Sequence, residues 1–203
     1  MSASGRERFA GWITGIGTTS GVRVVIGQWP DSPFGAFSDV MLQDDGGVRT
    51  LLAPTAEIAE FISQTYVFDE VKVVTVTVGA VGRTCVLTAG ELHLVWTIGA
   101  RTLLGRLLSL PPRRVTTAPA WCRTADPAAR LLMRGVRTAG SARDGRREFY
   151  GAFDQHAVTS AAGTWAGRSL GALRPVDRPV TFGFGSTPRR PSRTAVVTTV
   201  MPG

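Results

Sequence analysis

The stretch Glu91-Leu92-His93-Leu94-Val95-Trp96-Thr97-Ile98 puts Leu92, Leu94, Trp96 and Ile98 on one face of an extended chain and Glu91, His93, Val95 and Thr97 on the other. Side chains of a strand point alternately to its two faces, so this pattern predicts a half-buried β-strand with His93 turned to solvent. The same pattern extends upstream. Val74, Val76 and Val78 alternate with Thr75 and Thr77 in the run at 70–78, and RTCVLTA at 83–89 reads as a strand between the two. Earlier still, VRVVIGQW (22–29) is β-branched and stops at Pro30, which cannot donate to a strand ladder. AFSDVMLQ (36–43) and VRTLLA (48–53) flank Asp44-Asp45-Gly46-Gly47 and predict a hairpin, because tight hairpin turns need the positive φ that Gly supplies. After Pro54 the period changes. Ile58, Phe61 and Ile62 recur at helical spacing behind Thr55, a suitable N-cap, and predict a helix over about 55–65.

Downstream, RTLLGRLLSL (101–110) fits helix or strand equally and ends at Pro111-Pro112. TADPAARLLM (124–133) predicts a second short helix, with Asp126 as cap and Pro127 at the first helical position. Asp144-Gly145 marks another hairpin, and 162–173, PVTFGFGS (179–186) and TAVVTTV (194–200) read as further short strands. The expected fold is mainly β: one antiparallel β-barrel domain spanning 1–203, of nine or ten strands, with two short helices.

The early Trp12, the mostly antiparallel strands and Arg193 just before the last strand resemble the calycin superfamily, the lipocalins and their barrel-forming relatives. In that group a Gly-x-Trp of the first strand packs on an Arg of the last. Gly11 and Trp12 are adjacent here, Gly163-Thr164-Trp165 comes late, and the Thr-Asp-Tyr motif is missing. SPFGAFSDVML and FGFGSTPRRPSR are similar to stretches of conserved proteins of actinobacteria. The calycin resemblance implies a barrel that binds a small hydrophobic molecule in its lumen, without catalysis or a cofactor. Trp12, Trp29, Trp96, Leu92 and Leu94 are then candidates for floor and walls. Tyr150, Asp154, His156 and Arg193 are the polar anchors, since alternation would place Tyr150, Asp154 and His156 on one strand face.

The formal charge of +8 divides unevenly, with a net of minus four up to residue 100 and plus twelve beyond it. Of 23 basic side chains only Lys72 is a lysine. Arginines at 113–114, 143–147 and 189–193 could meet a polyanion, and a nucleic-acid accessory module is one alternative function. The neighbouring Phe149, Phe153, Phe182 and Phe184 alternate as core residues do, however, and no nucleic-acid motif appears, which disfavours it. An enzyme using Asp154 and His156 is the other alternative, an Asp two residues from a His being able to orient it as a base. GxSxG does not occur, and two distant cysteines, Cys85 and Cys122, with two His give no metal spacing, so no metal site is expected. A haem ligand at His93 has no visible partner. The glycines at 11, 15, 17 and 21 precede the first predicted strand and so fail the dinucleotide-loop pattern. Lys72 could form a Schiff base only if buried; its Val/Thr strand favours an edge position. No apolar run reaches the roughly 18 residues of a membrane helix, and no signal-peptide h-region is present. The expected setting is cytoplasmic, with reduced cysteines, and a homodimer remains open.

Overall fold

Thirteen strands and two helices are seen in the computed structural model, which describes residues 7–112, 114, 139–141, 147–183 and 187–201. The strands β1 (Glu7–Thr18), β2 (Arg23–Asp31), β3 (Phe37–Gln43) and β4 (Arg49–Ala53) form an antiparallel meander. Helix α1 (Ala56–Ser63) follows, and β5 (Glu70–Val73) returns parallel to β4. Next come β6 (Val76–Val81), β7 (Thr84–Ala89) and β8 (Leu92–Arg101), a second meander, then α2 (Leu103–Leu108). Beyond it lie β9 (Ala139–Ser141), the long β10 (Arg147–Trp165), β11 (Arg168–Ser169), β12 (Leu173–Arg174) and β13 (Ser192–Met201). The main path is β5-β4-β3-β2-β1-β13-β10-β8-β7-β6, so first and last strands join the two meanders at the middle of one sheet.

The architecture is mainly β with a curled, barrel-like sheet, as the alternation predicted, but the sheet is mixed. A parallel pair needs a crossover connection, and α1 supplies it between β4 and β5. The helix begins where Thr55 accepts a hydrogen bond from the Ile58 amide at 3.2 Å. The run at 70–78 is also two strands. It breaks at Val74-Thr75, so the chain leaves one end of the sheet path at β5 and enters the other at β6.

Three further differences concern β1, β10 and the segment 179–183. β1 carries Gly11, Gly15 and Gly17, which weaken strand propensity. These glycines are where neighbours come too close for a side chain: a Cβ at Gly11 would overlap the Gln28 carbonyl, and one at Gly17 the Pro175 carbonyl. β10 runs unbroken for 19 residues where two strands were expected, turning into β11 through Ala166 and Gly167, both at positive φ. Residues 179–183 form no strand; Val180 and Phe182 instead pack against Val25. The open segment 101–110 is α2, capped by Thr102 and seated on β10, where Gly105 lets the helix touch the Gln155 backbone. The helix expected after Asp126, the Asp144-Gly145 turn and Cys122 lie outside the described residues; Cys85 is a buried free thiol. No described helix is long and apolar enough to cross a membrane.

The curl packs one face of the sheet against itself. Ile16, Val24, Ile26, Val40, Leu42 and Leu52 from one meander meet Leu87, Leu92, Leu94 and Trp96 from the other, with Val158 and Ala161 of β10. On the opposite face of β1 to β4 lies α1, whose Ile58, Ala59 and Ile62 bury against Leu51 and Ala53.

Candidate functional site

The expected lumen is filled. Trp96, Leu92 and Leu94 are at most 1% exposed and belong to the interdigitated interior, so they are core residues and not the walls of a ligand space. His93 is exposed on the outer face, as the alternation required. Lys72 lies on the edge-side strand β5, 3.3 Å from Glu70 and 5.2 Å from the Trp165 ring. That is a solvated ion pair with the ammonium over an aromatic ring, and no buried amine.

The polar anchors of β10 are divided by a β-bulge. Ala152 pairs with Val196 but Asp154 pairs with Ala195, leaving Phe153 as the extra residue. A bulge inserts one residue and so reverses the alternation beyond it. Tyr150 consequently faces the α1 side, whereas Asp154 and His156 face the curl side, and the expectation of one shared face fails at that residue.

On the curl side Asp154, His156, Trp12, Arg193, Ile98 and Ala195 line a shallow depression. The Arg193 guanidinium lies 4.5 Å from the Trp12 ring, the contact between early Trp and late Arg that the calycin resemblance implied. Burial lowers the Arg193 pKa from its ordinary value. His156 Nδ1 faces the Gly99 carbonyl at 3.2 Å, and a carbonyl only accepts, so Nδ1 carries the hydrogen. Nε2 is 3.5 Å from Asp154 Oδ2, and that same oxygen takes an Arg101 Nη2 hydrogen bond at 2.9 Å. Asp154 is therefore held by Arg101 more closely than it holds the imidazole.

Tyr150 belongs to a different place. Between the sheet and α1 is a cavity of about 60 Å³. Its aromatic walls are Phe9, Trp29, Phe37 and Phe61, and its polar lining comes from Asp39, Glu148, Tyr66, Tyr150, Thr65 and Thr198. Phe9 is the hub of the aromatic wall, stacked at 5.2 Å on Phe61 of the helix and edge-on to Trp29 at 6.0 Å. Glu148, 3% exposed, accepts hydrogen bonds at one oxygen, Oε2, from Tyr66 at 2.9 Å and Tyr150 at 3.1 Å, and the two hydroxyls also touch one another. Burial first, and the adjacent Glu148 second, push both phenols well above their ordinary pKa, so they stay protonated donors.

Asp39 is the second buried acid, 2% exposed on β3. Its Oδ1 accepts from Trp29 Nε1 at 2.8 Å, a bond that reaches across the strand pair only because position 27 between them is glycine. A Cβ there would overlap both Asp39 Oδ1 and the indole nitrogen. Burial raises the Asp39 pKa to about 6, the Trp29 hydrogen bond opposing it only in part. Nearby, the hydroxyls of Thr65 and Thr198, 4% and 5% exposed, have no hydrogen-bond partner among the described residues. A buried hydroxyl without a partner costs on the order of 1–3 kcal/mol, which makes two of them on one cavity wall notable. No described Arg, Lys or His lines this cavity.

Comparison with known proteins gives no family. No family model matches the chain, and no curated protein matches it. Among solved structures it is similar to an acetoacetate decarboxylase from Legionella pneumophila, at 12% identity and a TM-score of 0.44, over 98% of this chain and 86% of that one. A likeness this distant carries no functional argument.

Of the residues picked from sequence, Trp12, Asp154, His156 and Arg193 meet at the depression, while Tyr150 and Trp29 line the cavity and Trp96 lies in the core. Asp39, Tyr66, Glu148, Thr65 and Thr198 were missed. Asp39 had a signal: a carboxylate inside the strand run FSDVMLQ, directly before Val40, Met41 and Leu42. Four or more consecutive half-buried positions interrupted by one carboxylate are costly unless the carboxylate has a purpose. Among the described residues no cluster of His, Cys, Asp and Glu is arranged to hold a metal.

Proposed function

We propose that this protein binds a small, mainly apolar molecule, and that the cavity between the sheet and α1 is where it is held. One observation carries the reading. An aromatic-walled space is lined by two buried threonine hydroxyls without partners among the described residues, beside a buried carboxylate. Ligand pockets of folded proteins are mostly apolar with a few convergent polar groups that fix orientation. A volume of about 60 Å³ suits a compact head group, with the remainder of the ligand extending out of the cavity. The curl interior is occupied by interdigitated side chains, and the Trp12–Arg193 depression carries Asp154, His156 and Arg193 among its six lining residues, with Trp12 its one aromatic.

The reading is tested by calorimetric titration of small neutral aromatics, benzyl alcohol and toluene among them, into the wild type and Val200→Phe. Val200 lines the cavity from β13, and Phe there adds bulk to it. Overpacking of this kind costs about 1–3 kcal/mol, so the variant's fold is verified by circular dichroism. Saturable binding lost in Val200→Phe is expected. Binding unaffected by that substitution, or none to any compound, counts against the cavity.

A further inference from the structure

We infer that the polar end of the ligand is a protonated amine, and that Asp39 is its counter-charge. This rests on the cavity reading above and adds to it the chemical class of the head group. Three polar groups at the cavity wall have a free acceptor position among the described residues, one a carboxylate oxygen that can only accept and two hydroxyls that can accept or donate. Asp39 Oδ2 receives no hydrogen bond among the described residues, its partner Trp29 being engaged at Oδ1. The Thr65 and Thr198 hydroxyl oxygens have none either. By contrast Tyr66, Tyr150 and Glu148 serve one another. The ionised Asp39 therefore calls for a donor at Oδ2 and for positive charge, and the two hydroxyls beside it can accept further N–H groups from the same head.

A primary ammonium is three N–H donors and one positive charge on a compact head. Neutral donors such as an alcohol bring one hydrogen and no charge. The walls agree with this choice, because Phe9, Trp29, Phe37 and Phe61 present aromatic rings around the same space. A cation held against aromatic faces gains from the negative potential of the rings, more so when desolvated. An anionic head group would instead meet Asp39 and Glu148 with no described cation among the lining residues. Asp39 also explains how such a site discharges and releases. With its pKa near 6, the carboxylate is mostly ionised at neutral pH and becomes neutral in mildly acidic solution. The polar groups that line the cavity with it are Trp29 on β2, Thr65 and Tyr66 after α1, Glu148 and Tyr150 on β10, and Thr198 on β13. Of these the two tyrosines do not ionise in the window, so Glu148 is the other acid to control for.

The test compares benzylamine, charged between pH 5 and 8, with benzyl alcohol, its neutral counterpart, by isothermal titration at pH 7.5. The wild type is expected to prefer the ammonium by at least about tenfold, a differential that one desolvated charge contact can supply. In Asp39→Asn, which keeps an oxygen for the Trp29 indole, the preference shrinks to within about threefold while benzyl alcohol affinity holds. In the wild type the preference also declines as pH falls through 6, and this decline is absent from Asp39→Asn, which separates Asp39 from Glu148. Equal or tighter binding of the alcohol by the wild type overturns the inference and leaves the cavity reading standing. A preference that survives in Asp39→Asn overturns it as well. Binding of neither compound overturns both readings.

Discussion

The two faces of the same sheet make opposite uses of burial. On the curl side, Ile16, Val24, Ile26, Val40, Leu42, Leu94 and Trp96 interdigitate, and the space enclosed by the strands is spent on packing. On the α1 side of the same strands, the alternate residues Val25, Gly27 and Trp29 of β2 and Phe37, Asp39 and Met41 of β3 leave a cavity and bury a carboxylate. Strand period 2 makes this division sharp, since adjacent residues cannot share a face. A closed apolar face stabilises; a face with a void, an acid and two hydroxyls unpaired among the described residues is retained at a cost to stability. The cost is where function is to be sought.

The largest expected effect is on the packed face. Trp96→Ala leaves a large void among fully buried side chains and should cost about 4 kcal/mol in urea unfolding, with benzylamine affinity of the remaining folded protein unchanged. A loss of affinity in that variant would mean that the two faces are not separate.

Asp39→Asn acts in the other direction. Its carboxyl, held near 6 against an ordinary 3.8, binds a proton more tightly in the folded chain than in the unfolded one. Stability therefore falls as pH rises from about 4 to about 6, and the full penalty, on the order of 3 kcal/mol, is present above that window. The Asn variant should be more stable than wild type at pH 8 by up to about that amount and equal to it at pH 3.5. A variant less stable than wild type at pH 8 would mean that ionised Asp39 is structurally required.

Tyr66→Phe removes a donor to Glu148 and should cost about 1 kcal/mol, read as a lowered urea midpoint. The smallest effect belongs to neither face. Asp69 is exposed and held to Arg49 by bonds of 2.8 and 2.9 Å, which lower its pKa to about 2. That contribution exists above the ordinary carboxylate range and is lost as pH falls toward 2, so Asp69→Asn should lower thermal stability slightly at pH 6 and not at pH 2.

Much of the packed face was legible in the sequence. The alternation at 91–98 placed Leu92, Leu94 and Trp96 inward and His93 outward, and the structure agrees residue by residue. The hairpin at 44–47 and the helix after Thr55 were equally plain, because Gly at positive φ and a capping hydroxyl are local chemistry. Where the reading failed, the causes were not local. The crossover that makes β4 and β5 parallel depends on which edge β5 joins, and the bulge at Phe153 depends on the partner strand β13. That single extra residue moved Tyr150 away from Asp154 and His156. β1 was hidden by its own glycines, which only the proximity of Gln28 and Pro175 explains. The basic second half contributed least: Arg193 stacks on Trp12 and Arg189 lies 3.8 Å from Asp177, while segments 113–114 and 143–147 fall largely outside the described residues.

Three of the tryptophans report separately on the three places a ligand could occupy: Trp29 in the cavity beneath α1, Trp12 at the open depression and Trp96 in the curl interior. The indole N–H region of a ¹H–¹⁵N spectrum, assigned by Trp→Phe variants and followed during benzylamine titration at pH 7.5, tests the central claim directly. The account predicts a saturable shift of the Trp29 indole signal, with those of Trp12 and Trp96 unmoved. A shift confined to Trp12 or Trp96 while Trp29 stays in place would contradict it.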